Sequence, residues 1–177
     1  MLAFYRTFFH ADVGFGSPVV TFLRYDDEHH RFAIVNIPPL AAAAPGMAGV
    51  EHFAYTYASL GDLLGQYLHC KANGIGPAWC INHGMTVSIY YNDPDGNTIE
   101  TQVDTMDVDA AYAFMRGPYF AKNPIGVDFD PDLLLERYRR GDPLDELVKQ
   151  GSAPPPAGIV PPRPPSVPPY DYRGELL

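Results

Sequence analysis

Six histidines in a chain of 177 residues, with 12 Lys+Arg against 21 Asp+Glu, raise metal binding or acid–base chemistry as hypotheses to weigh segment by segment. His52 lies in the run Val50-Glu51-His52-Phe53-Ala54-Tyr55-Thr56-Tyr57. On a strand the side chains alternate, so His52, Ala54 and Thr56 share one face and Phe53, Tyr55 and Tyr57 the other. The aromatic face is expected to pack under helices, which leaves the small polar face to line a cavity. Glu100 holds a matching position in Thr98-Ile99-Glu100-Thr101-Gln102-Val103, with Thr98, Glu100 and Gln102 facing one way and apolar residues the other. A carboxylate in the middle of a strand is costly to bury without a partner. A metal would supply one, and two histidines plus a carboxylate with open positions is the donor set of non-haem Fe(II) oxygen chemistry. One histidine and the carboxylate of such a set are visible. A surface-facing Glu100 and a hydrogen-bonded core His52 account for the same two residues.

The elements that must position these residues follow from periodicity and punctuation. Leu2, Phe4, Tyr5, Phe8 and Phe9 are spaced like one face of a short helix that starts at the first residue. Strands are expected at 19–25 and 30–37, joined by the turn Asp26-Asp27-Glu28, and again at 50–57. Pro38 to Gly49 reads as a link. Ser59 is an N-cap candidate for a helix running to about Asn73, with Gly74 just past its end. Strands at 77–81, 86–92 and 98–103 follow, the last two joined by Asp93-Pro94-Asp95-Gly96. Helices are expected at Asp109–Met115 and Asp132–Arg140. The order is helix–β–β–(β), then β–helix–β–β–β, then helices. The second unit is a complete βαβββ module, and the first looks like the same module without its opening strand.

Composition bounds the function. A net charge of −9 argues against nucleic acid, because phosphate binding needs a basic patch, and against an anionic membrane surface. No apolar run approaches the ~20 residues that span a bilayer. The start has neither the charged region nor the apolar stretch of a secretory signal. Cys70 and Cys80 fit neither a CxxC motif nor a disulfide framework and read as reduced cysteines packed as small hydrophobes. A cytoplasmic protein acting on a small molecule is the expectation. Nine of the 19 prolines fall in the run APPPAGIVPPRPPSVPP, which cannot build a helix or a central strand. A domain over 1–151 is therefore expected, followed by an extended proline-rich tail over 152–177. That tail wraps the domain or stays mobile, in preference to serving an SH3-like groove.

The stretch Ile81-Asn82-His83-Gly84-Met85-Thr86-Val87-Ser88-Ile89-Tyr90-Tyr91-Asn92-Asp93-Pro94-Asp95-Gly96-Asn97-Thr98-Ile99-Glu100 resembles the signature of type I extradiol ring-cleavage dioxygenases, members of the vicinal oxygen chelate superfamily. His, then apolar-Tyr, Asp-Pro-x-Gly and Glu are all present. A looser form of the pattern occurs in glyoxalases and antibiotic-resistance proteins. The resemblance extends from Met1 to about Gly151. It includes a hairpin carrying His29 and His30, and the stretch Asn123-Pro124-Ile125-Gly126-Val127-Asp128-Phe129-Asp130, which is similar to the C-terminal part of some small members.

The resemblance implies an α+β fold of paired βαβββ modules forming a half-open barrel around one metal. His52 and Glu100 resemble metal ligands, and His30 resembles the acid/base histidine. His83 and Tyr90 resemble residues that hydrogen-bond the substrate oxygens. Fe(II) is the implied cofactor, with Mn(II) or another divalent metal as substitutes, and a small aromatic diol and O2 are the substrates. His29 is expected on the opposite face of its hairpin, and His10 and His69 are expected to be structural or solvent-facing. Trp79 and Cys80 are expected in the pocket wall or core. The family's other metal histidine lies on the opening strand of the first module, before the point where this sequence begins. An upstream start, a strand donated by a second copy in a homo-oligomer, or loss of metal chemistry would each account for this, and the first is preferred because the downstream positions are intact. The rival functions are a glyoxalase-like metalloenzyme of the same fold and a metal-free binder of aromatic ligands.

Overall fold

A computed structural model describes residues 1–38, 41, 48–165 and 167. The chain divides into two compact units, one of Met1–His52 with Asn92–Thr98 and one of Phe53–Tyr91 with Ile99–Leu177. Both mix helices and strands, as an α+β fold requires, and the module order matches the expected one.

In the first unit, α1 (Leu2–Phe8) precedes β1 (Asp12–Gly16), β2 (Val20–Arg24) and β3 (Phe32–Val35), which form an antiparallel sheet in the order β1-β2-β3. The aromatic face of α1 builds the core here. Tyr5 and Phe9 pack on Phe32 with ring centroids 4.7 and 4.9 Å apart, and Phe8 and Leu23 are fully buried. Strand β1 was not expected from the sequence. Its residues, Asp-Val-Gly-Phe-Gly, are all exposed, and the register slips between Val13 and Phe15, so no apolar alternation marks it. Most of the Pro38–Gly49 link lies outside the described residues.

The turn after Tyr91 belongs to this first unit and is organised by one carboxylate. Asp93 Oδ1 accepts the backbone N–H groups of Asp95 and Asn97, both at 2.9 Å. Its Oδ2 accepts the Asn97 amide at 2.8 Å and the Tyr5 hydroxyl at 3.0 Å. Gly96 has φ +88, the left-handed conformation that disfavours a side chain. The Asp-Pro-x-Gly-Asn element is therefore a structural clasp that ties the turn to α1.

In the second unit, β4 (His52–Thr56), α2 (Leu60–Ala72), β5 (Trp79–Asn82), β6 (Thr86–Asn92) and β7 (Thr98–Asp104) form the βαβββ module. The sheet order is β4-β7-β6-β5-β8, where β8 (Val127–Asp128) adds to β5. Helices α3 (Val108–Met115), α4 (Pro118–Lys122), α5 (Pro131–Arg140) and α6 (Leu144–Leu147) follow the module, with β8 between α4 and α5. Ser59 caps α2 as expected, accepting the Asp62 N–H at 3.2 Å. The apolar stripe Leu60, Leu63, Leu64, Tyr67 and Cys70 is buried. Asp130 caps α5, and Gly141 closes it in the left-handed conformation. The short elements α4, β8 and α6 carry too little periodicity to be read from sequence.

The sheet has two faces of different character. Tyr91 meets Cys70 of α2, so the parity set Cys80, Ile89, Tyr91 and Thr101 is the helix face. Burial pushes the Cys70 thiol up to about 11 and the Cys80 thiol well above its ordinary range. Both cysteines are free and buried, as the sequence led us to expect. The aromatic face of β4 departs from expectation, because Phe53 is 61 % exposed. Strand β4 is the sheet edge, and just beyond it burial beside Cys70 and Asp62 of α2 pushes the Tyr57 phenol up to about 12. Among the described residues no helix is long and apolar enough to cross a membrane.

The clasp generates a stability prediction. Asp93→Ala leaves two turn N–H groups and the Tyr5 hydroxyl without their acceptor, and should cost about 2–3 kcal/mol. Urea unfolding checks this; an unchanged midpoint would show that the turn does not need the carboxylate.

Candidate active site

The other face of the sheet in the second unit carries the polar side chains. Trp79 pairs with Tyr90 and Ile81 with Ser88, which puts these four side chains on one face together with Thr86. Glu100 is 4 % exposed, on the central part of β7. His83 follows directly after β5, and its Nε2 lies 3.0 Å from the Tyr90 hydroxyl and 3.8 Å from Glu100 Oε1. Thr86 Oγ1 and Ser88 Oγ, 3.0 Å apart, satisfy each other beside them.

The tautomer of His83 follows from its other nitrogen. Nδ1 is 2.5 Å from the carbonyl oxygen of Ile125, and a carbonyl can only accept, so Nδ1 carries the proton. In the neutral ring Nε2 is then the acceptor, and Tyr90 donates to it. The chain Ile125 C=O, imidazole, phenol is a directed hydrogen-bond relay that ends on the face occupied by Glu100.

The loop that supplies this carbonyl is held tightly. Asn123 Oδ1 accepts the N–H groups of Ile125 and Gly126 at 3.2 and 2.9 Å, and Asn123 Nδ2 donates to the Gly126 carbonyl at 3.0 Å. Gly126 has φ +115, and a Cβ there would stand 2.3 Å from the Asn82 oxygen and 2.9 Å from the His83 Cα. Only glycine permits this approach. Asn82 is fixed in turn, with its Nδ2 donating to the Val148 carbonyl and its Oδ1 accepting the Gly84 N–H, both at 2.8 Å. The 123–130 stretch stood out in the sequence only as a resemblance. Its role as the brace of His83 depends on a close approach of two backbones that sequence spacing does not encode.

Three of the five residues singled out from sequence, His83, Tyr90 and Glu100, therefore come together. Of the other two, His30 belongs to the first unit and His52 is the last residue of that unit's Met1–His52 segment, where β4 begins. His52, at the start of β4, is half-buried, and its Nδ1 is paired with the neighbouring Glu51 carboxylate. His30, in the β2–β3 connection, stacks on Phe22 with ring centroids 4.6 Å apart and contacts His29 through Nδ1. Glu100 is buried in mid-strand with the His83 imidazole alongside. Among the described residues, however, no three His, Cys, Asp or Glu side chains converge to hold a metal, so they do not complete the three-ligand set.

Gly126→Ala should cost about 3 kcal/mol or more, because the new methyl overlaps backbone rather than a flexible side chain. Thermal and urea denaturation check the cost; wild-type stability would show that the loop stands off from His83.

Comparison with known proteins adds to this geometry. The family model described as Glyoxalase/Bleomycin resistance protein/Dioxygenase superfamily matches residues 1–101. The chain is 43 % identical over 150 residues to biphenyl-2,3-diol 1,2-dioxygenase 2 of Rhodococcus globerulus, covering 84 % of this chain and 79 % of that protein. It is 38 % identical over 146 residues to biphenyl-2,3-diol 1,2-dioxygenase 3 of the same organism, covering 81 % and 77 %. Among solved structures, the lactoylglutathione lyase from Agrobacterium tumefaciens aligns with a TM-score of 0.45 and 20 % identity, over 58 % of this chain and 81 % of that one.

Proposed function

Because this chain belongs to the glyoxalase/bleomycin resistance protein/dioxygenase superfamily, we propose that it is an extradiol ring-cleavage dioxygenase acting on an aromatic diol with O2. The observation that carries the reading is the convergence of His83, Tyr90 and Glu100 on one sheet face. The identity to two biphenyl-2,3-diol dioxygenases over most of both chains supports the substrate class. In such a reaction a carbon–carbon bond beside the diol breaks and both oxygen atoms of O2 enter the product, so no external reductant is consumed.

In this reading Fe(II) is the cofactor, Mn(II) or another divalent cation its substitute, and His52 and Glu100 are its ligands. The metal's general service is to template the two substrates and relay electron density between them. The chain's own residues do the rest. The His83 Nδ1–H is committed to the Ile125 carbonyl, so Nε2 and the Tyr90 hydroxyl are the groups that can meet a diol oxygen. The Tyr90 oxygen accepts from a diol hydroxyl while its own O–H points to His83 Nε2, so the diol proton can pass through the phenol to the imidazole and return the same way. Glu100 Oε1 stands 3.8 Å from the same Nε2. His30 is the proposed acid/base group for the second proton, an imidazole being suited to that task near neutral pH.

The test is anaerobic reconstitution with Fe(II), followed by iron analysis, oxygen uptake and detection of the yellow ring-opened product from biphenyl-2,3-diol. The expected result is iron retained near one per chain, with turnover lost in His52→Ala and Glu100→Ala. Tyr90→Phe keeps the metal and lowers kcat by about a hundredfold. Iron retained without oxygen uptake would favour an isomerase-like use of the fold. Neither iron nor uptake would overturn the reading for this chain.

A further inference from the structure

The described part of the proline-rich segment, residues 152–165 and 167, is built into the second unit. Ala153 is fully buried, and its carbonyl accepts the Asp130 N–H at 2.8 Å. Ten residues later Arg163, flanked by Pro161-Pro162 and Pro164-Pro165, reaches Asp128. Its Nε donates to Oδ2 at 3.0 Å, and Nη2 donates to the same oxygen. Asp128 is 0 % exposed, on β8 opposite Ile81, and its Oδ1 accepts the indole N–H of Trp79 at 2.8 Å. A carboxylate so buried is costly unless a cation compensates it, and Arg163 provides that cation with a side chain only 12 % exposed. The flanking prolines restrict the unbound arm and lower the entropy lost when it docks.

Beyond the ion pair the Val167 N–H bonds the Pro164 carbonyl at 3.0 Å, and this turn sets Val167 against the cluster of Trp79, Ile81 and Tyr90. The Trp79 ring lies 5.1 Å from Tyr90 and 5.9 Å from His83. The arm thus borders Tyr90, one of the two residues to which the proposed function gives the diol oxygens, and Trp79, which lies beside the other.

We propose that the arm is part of the site: Arg163 and Asp128 latch it down, and Val167 is the wall residue that limits the size of the ring substituent an aromatic diol can carry. This rests on the dioxygenase reading above. Nothing in the Asp-Pro-x-Gly signature or its ligands requires such a wall, so it acts on selectivity and not on the chemical step.

The experiment compares the full-length Fe(II)-reconstituted wild type with Val167→Phe, Val167→Ala and Arg163→Ala. The kcat/KM ratio for biphenyl-2,3-diol over catechol is read in each. Val167→Phe should lower the ratio about tenfold, and Val167→Ala should raise it. Trp79, the chain's single tryptophan, reports the latch without any turnover. Its quenching by acrylamide should rise about twofold in Arg163→Ala, as the arm opens locally. Arg163→Lys, which keeps the charge, should recover part of the protection. An unchanged ratio in both Val167 variants overturns the wall, and unchanged quenching in Arg163→Ala overturns the latch. A wild type inactive on both diols overturns the dioxygenase reading instead. The wall is then judged by the change in Trp79 emission on titration with biphenyl-2,3-diol, whose affinity must fall in Val167→Phe for the wall to stand.

Discussion

The hydrogen bond from His83 Nδ1 to the Ile125 carbonyl is the constraint on which the site depends. An imidazole can present either nitrogen as donor, and a ring free to rotate would offer both forms. Committing Nδ1 to an acceptor that has no proton of its own selects one tautomer and one orientation. The Tyr90 phenol and the Glu100 carboxylate then meet a defined Nε2. The brace is expensive in sequence terms. It needs a glycine at 126 to bring two backbones together, an asparagine at 123 to hold the loop, and Asn82 anchored to Val148 on the other side.

The two faces of the second unit's sheet divide the labour. The helix face buries Cys80, Ile89, Tyr91 and Thr101, with Tyr91 against Cys70 of α2, and this burial supplies the rigidity. The site face carries Glu100, Ser88, Thr86, Tyr90 and Asp128, polar groups whose burial is tolerated because the structure gives them partners. A rigid apolar layer behind a polar layer is what lets side chains on three different strands keep their mutual distances.

The proline-rich segment extends the same logic. Proline supplies no ladder donor and cannot thicken the sheet, yet a stiff extended segment can lay one arginine onto one buried carboxylate. Asp128 would be a liability in an apolar face without it. The Trp79 indole and the Arg163 guanidinium together satisfy both carboxylate oxygens, and so fix where the segment crosses.

Much of this was legible in the residues themselves. The βαβββ module, the Ser59 cap, the Gly74 stop and the strands expected at 77–81, 86–92 and 98–103, found at 79–82, 86–92 and 98–104, follow from local rules, since caps, turns and alternation act over a few residues. The Asp-Pro-Asp-Gly turn and the inward parity of Tyr90 and Glu100 were equally readable. Strand β1 was not, because glycines and a register slip erase its pattern, and Phe53 was misjudged because a strand's place at the sheet edge is a property of the whole sheet. Only tertiary structure could decide that residue 125 braces residue 83 and that residue 163 neutralises residue 128. Periodicity reports which way a side chain faces along its own element; which distant backbone or charge it meets is set when the elements pack.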